Sequence, residues 1–149
     1  MTKVQLGNSN NWNLLHSGNQ TAMILPGGNN SHLPIESISI PISLESTTIA
    51  VFIQTEDPKS TWKYGGSVGA NIVTGLIVGG NSNSEIARRA CYLDKINIIY
   101  FPSVSNSYSL VLYPPKWFKN IEWIIWEYIG EGNIDPQGKL DEIYNLISL

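Results

Sequence analysis

The chain predicts a mainly β fold, an antiparallel β-sandwich or flattened barrel of about eight strands with one short C-terminal helix. Three observations lead there. Short runs rich in Ile, Val, Thr and aromatic residues recur along the chain; clusters of Asn, Gly, Ser and Pro such as NSNNWN, GGNNSH and GGNSNS separate them; and one run, Glu36 to Leu44, alternates strictly between Ile and small polar residues. Asn and Gly accept positive φ, and Asn and Ser bond to nearby backbone, so the clusters read as turns. With 149 residues and no linker or internal repeat, the chain is expected to form one β-rich domain over residues 1–149.

Taken in order, Trp12 to His16 and Gln20 to Leu25 read as a first strand pair turning through Ser17-Gly18-Asn19. In Glu36 to Leu44, Ile38, Ile40 and Ile42 share one face and Ser37, Ser39 and Ser43 the other, the two-residue repeat of a half-buried strand. Pro41 falls on the polar face and lacks an N–H, which places this strand at a sheet edge or a bulge. Thr47 to Thr55 is β-branched and apolar, and its short link to the preceding strand predicts a hairpin.

Val68 to Gly80 is apolar and glycine-rich, yet shorter than the roughly 20 residues that cross a bilayer as a helix. It reads as a strand packed closely against another backbone. Glu85 to Leu93 reads as a strand leading through Asp94-Lys95 into Ile96 to Phe101, and Ser107 to Tyr113 as its hairpin partner across Pro102 to Asn106.

The stretch Tyr108 to Gly130 holds seven aromatic residues, among them three of the five tryptophans. As a helix it would align Trp117, Ile121, Ile124 and Tyr128 on one face and leave Trp123 and Trp126 on the polar side. Lys116 and Lys119 at its start and Glu127 and Glu131 at its end oppose a helix dipole, and Ile, Trp and Tyr favour a pleated surface. A strand from Asn120 to Ile129, buried on both faces, is therefore expected; the alternative is an α+β fold with helices at 84–93 and 116–129. Asp135 as N-cap, Pro136 at the first helical position and Leu140, Ile143, Tyr144 and Ile147 at helical spacing predict the closing helix.

Composition excludes several functions. Charged residues make up 14% of the chain, against roughly 25% in an ordinary soluble domain, and the formal charge of -3 comes with no basic stripe. Nucleic acid is thus not an expected partner. Cys91 alone forms no internal disulfide, and its apolar setting reads as a small buried side chain. No apolar signal follows Met1-Thr2-Lys3, so a cytoplasmic location is expected.

No catalytic, metal-binding or cofactor-binding set emerges. His16 and His32 lack acid or Cys neighbours at ligand spacing, no G-x-S-x-G elbow is present, and the glycine runs match no phosphate loop. Of the acid pairs, Glu56-Asp57 and Asp141-Glu142 read as solvated, and on a strand Glu122 and Glu127 point to opposite faces. Recognition remains. Trp12 and Asn13, with Trp62 and Tyr64, combine ring faces and polar groups suited to a sugar or a protein partner, or else cap the ends of the core. Trp123 and Trp126 join them as interface candidates if their segment is helical.

The expected function is a non-catalytic interaction module acting through protein–protein contacts, oligomeric, with a protein partner or a second copy of itself. The alternative is a lectin-like carbohydrate-binding protein. Weaker readings are a membrane-active protein using 68–80 and a small acid/base enzyme around Glu56 and Asp57; a membrane is not an expected partner.

Overall fold

In a computed structural model, the structure describes residues 11–27, 32–56, 72–79, 84–116 and 118–130. Eight strands lie among them: β1 (Trp12–Thr21), β2 (Ile38–Ile42), β3 (Thr48–Gln54), β4 (Ile72–Gly79), β5 (Ser84–Tyr92), β6 (Ile96–Tyr100), β7 (Tyr108–Tyr113) and β8 (Asn120–Tyr128). They form two four-stranded sheets, ordered β1-β8-β3-β6 and β2-β7-β4-β5, with every ladder antiparallel.

The order follows from one rule. Strands pair from the outside of the sequence inward, β1 with β8, β2 with β7, β3 with β6 and β4 with β5, and β8 and β7 then also join β3 and β4. The chain is one long hairpin folded about the β4–β5 turn and rolled so that alternate strand pairs land in opposite sheets. This is the topology of an eight-stranded jelly roll.

Between the sheets lies the main core, with Ile38, Ile40 and Ile42 of β2, Ile49, Val51 and Ile53 of β3, Val73 and Ile77 of β4, Leu110 and Leu112 of β7, and Ile121, Trp123 and Ile125 of β8. A second buried cluster occupies the other face of the β1-β8-β3-β6 sheet, where Trp12, Ala50, Phe52, Ile96, Ile124, Trp126 and Tyr128 meet. β3 and β8 are thus buried on both faces, which is why each reads as a nearly unbroken apolar run. β2 alternates buried and exposed and sits at a sheet edge, with Pro41 on its exposed face.

The mainly β class, the edge position of β2 and the doubly buried β8 agree with expectation, and both helices of the α+β alternative are replaced by β5 and β8. The predicted C-terminal helix lies outside the described residues.

Three expected pairings are overturned. β1 runs unbroken through Ser17-Gly18-Asn19, with only a bulge between Leu14 and His16. Gly18 is there because the Trp123 ring crosses it: a Cβ would stand 2.5 Å from Trp123 Cζ2. β2 and β3 form no hairpin, nor do β6 and β7, because in each case the two strands belong to different sheets. Their links are long enough to cross the roughly 10 Å between packed sheets, so a short loop does not imply pairing. At the β5–β6 corner the crossing is made tightly: Asp94 takes a left-handed φ of 59°, and Asn97 lends its side-chain amide as a substitute ladder, accepting from Tyr92 N at 2.8 Å and donating to Tyr92 O at 3.0 Å.

Candidate interaction surfaces

Three of the tryptophans named from sequence, Trp12, Trp123 and Trp126, are interior groups. Trp12 opens β1 with no exposed surface, its ring edge-on to that of Tyr128 at 5.0 Å between centroids. As the sequence pattern anticipates, a strand starts at Trp12, which is the first buried residue of β1 and lies directly opposite Tyr128 in the ladder. Asn13 is exposed beside it. Trp126 is fully buried in the same cluster, and Trp123 lies on the opposite face of β8 in the main core. Trp62 and Tyr64 lie outside the described residues. The structure therefore brings Trp12 and Trp126 together as packing and separates both from Trp123.

Trp123 Nε1 donates to His16 Nδ1 at 3.0 Å, with the two ring planes nearly parallel at 6° and their centroids 6.2 Å apart, an edge-to-edge arrangement. An indole N–H only donates, so His16 Nδ1 is the acceptor. His16 is thereby a structural partner of a core tryptophan.

Glu127 is buried and accepts from two backbone donors, Glu45 N at 2.6 Å and Ser46 N at 2.9 Å. Glu45 and Ser46 form the corner by which the chain leaves β2 in one sheet for β3 in the other, so the carboxylate pins that crossing. Its partner in the sequence-level acid pair, Glu122, lies on the opposite face of β8, toward which Gln54 and Asn19 also turn in the ladder. The single carboxylate inside the apolar run WIIWEYI was the sequence signal for such an anchor.

Cys91 is fully buried beside Val73 and Gly75, and burial pushes its thiol up to about 11. A thiol held protonated at neutral pH is a packing group rather than a nucleophile. Among the described residues no three of His, Cys, Asp and Glu gather as metal ligands, and no helix is long and apolar enough to cross a membrane.

Among the described residues, the outer face of the β2-β7-β4-β5 sheet belongs to neither buried cluster. The ladders set Arg88, Leu76, Val111 and Ser39 in one row, Ala90, Thr74 and Tyr113 in the next, and Glu85, Val78, Ser109 and Pro41 in a third. Leu76, Val78 and Val111 are half-buried at its centre, and Tyr92 and Tyr113 stand 49% and 45% exposed at its rim. Charge on these rows is confined to β5. There an extra residue, Ile86, bulges the strand between Glu85 and Ala87, so Glu85 and Arg88 share one face and join at 3.2 Å. This face was missed from sequence because its apolar members are spread over three strands, each of which reads as ordinary strand sequence.

No protein-family model matches the chain, and no curated protein or solved structure was found to resemble it.

Proposed function

We propose that the protein is a non-catalytic assembly module that acts through protein–protein contacts and forms oligomers. The observation that carries this reading is the outer face of the β2-β7-β4-β5 sheet, where Leu76, Val78 and Val111 lie in register with Tyr92 and Tyr113 near them and charge is held to one edge strand. An apolar centre with tyrosines at its margin and few charges is the composition of an interface core. The low charge of the whole chain points the same way, because less of the surface is committed to water. Jelly rolls serve both as assembling subunits and as sugar-binding domains, and the fold alone does not choose between them. The carbohydrate reading loses the Trp12 ring, which is inside, and keeps Trp62 and Tyr64.

Sedimentation velocity over a hundredfold range of concentration tests the reading. The wild-type protein is expected to associate, and Val111→Glu, which sets a carboxylate in the middle of the face without touching the core, to weaken association at least tenfold with the circular dichroism spectrum retained. A wild-type protein that stays monomeric throughout, or a Val111→Glu variant that associates unchanged, contradicts it.

A further inference from the structure

The buried cluster on the outer face of the β1-β8-β3-β6 sheet is drawn from that sheet alone. Among the described residues every member, with Leu14 and Ile98 packed against it, belongs to β1, β3, β6 or β8. Trp12, Phe52, Ile124, Trp126 and Tyr128 are nevertheless no more than 5% exposed. Neighbours within a sheet cover the flanks of a side chain and not its top, so a sheet face left to water keeps its large side chains exposed. Two tryptophans with no exposed surface therefore have a further layer above them. The strands of the second sheet do not supply it, because they pack on the opposite face, where the main core lies.

The end of β8 points to the source of that layer. Tyr128 closes the strand with its ring in the cluster. Two residues on, a Cβ at Gly130 would stand 2.7 Å from Tyr128 Oη and 2.8 Å from its Cζ. The backbone leaving β8 thus passes against the tip of the Tyr128 ring, on the side of the cluster, and glycine is what lets it approach so closely. The sequence beyond opens with EGNID, which holds a glycine and an asparagine suited to a reversal, and continues with Leu140, Ile143, Tyr144 and Ile147 at helical spacing.

We propose that the outer face of the β1-β8-β3-β6 sheet is the docking surface for residues 136–147 of the same chain, packed as an amphipathic helix with this stripe turned to Trp12, Trp126 and Tyr128. A helix of that length measures about 18 Å, and Tyr128 to Ile124 spans about 13 Å of strand, so one helix covers the cluster. Glu142 and Asn145 fall on its opposite side, toward water. Other segments fit the face less well. Residues 1–10 offer Val4 and Leu6 among Asn, Gln and Lys, and residues 57–71 follow β3, whose Gln54 lies at the far end of the sheet from Tyr128. The inference does not depend on the assembly reading; it closes this face to a partner and leaves the outer face of the other sheet available.

Nuclear Overhauser contacts in the full chain test it. Cross-peaks are expected between the methyl groups of Leu140, Ile143 and Ile147 and the ring protons of Trp12 and Trp126, within one molecule and not between molecules in a mixture of labelled and unlabelled protein. Ile143→Lys, which sets an ammonium in the apolar stripe, is expected to raise the acrylamide quenching constant of the tryptophan emission roughly twofold or more, and Glu142→Lys to leave it unchanged. If Ile143→Lys fails to fold, the contacts in the wild-type chain carry the test. Ring contacts to Val4 or Leu6, or to residues 57–71, in place of the helical stripe give the face to another segment and overturn the proposal. Contacts found only between differently labelled molecules overturn it in favour of a second copy.

Discussion

Replacing Trp126 by alanine is expected to lower the unfolding free energy by about 3–5 kcal/mol, the usual cost of truncating a buried Trp or Phe. Trp126 has no exposed surface. It lies between Leu14 of β1 and Ala50 of β3 in the ladder, and the small Ala50 is what admits so large a ring to the middle of a sheet. Truncation leaves a cavity bounded by two strands that cannot close upon it without breaking their ladders to β8. Denaturant titration followed by far-ultraviolet circular dichroism measures the loss. A decrease below about 1 kcal/mol would be that of a surface residue and would return Trp126 to the list of binding candidates.

The second large effect is expected at Glu127. Its carboxylate is the acceptor for both Glu45 N and Ser46 N, and an unsatisfied buried donor costs about 1–3 kcal/mol. Glu127→Ala is therefore expected to cost about 2–4 kcal/mol, with water offsetting part of the loss at the corner. Glu127→Gln keeps an acceptor oxygen of the same reach and is expected to lose less than half as much. Equal losses in the two variants would show that the charge, rather than the two hydrogen bonds, holds the crossing. No effect in either would mean that the corner is held by its own turn.

How far the fold was legible depends on what a strand's pattern encodes. The alternation of Ile38, Ile40 and Ile42 states which face is buried, and the apolar run around Trp123 and Trp126 states that both are; each reading survives in β2 and β8. Neither pattern says which sheet a strand joins. In this topology only β4 and β5 pair as sequence neighbours, so assigning hairpins by proximity failed at β2–β3 and at β6–β7, where short loops cross between sheets. Ser17-Gly18-Asn19 has the composition of a turn, but its glycine answers a distant ring, and nothing near it in sequence announces Trp123.

The candidate site was legible only in its negatives. Trp12, Trp123 and Trp126 were weighed as core or as ligand contacts, and burial gives them to the core. The surface that replaces them is built from Leu76, Val78 and Val111, residues that become neighbours only when β4 and β7 are paired. Low charge was the one global hint that such a face exists. The Arg88–Glu85 pair, unremarkable as sequence, becomes meaningful once the bulge at Ile86 sets both side chains at the margin of that face.

The central claim is that the aromatic-rich strand is interior and that association uses other surfaces. Native-state hydrogen exchange, measured residue by residue at low and at high protein concentration, tests it most directly. Amides of Ile121 to Trp126 are expected to be among the slowest to exchange at both concentrations. Rapid exchange across β8 in the dilute protein, with protection appearing on association, would make the tryptophan-rich strand the interface and contradict the account.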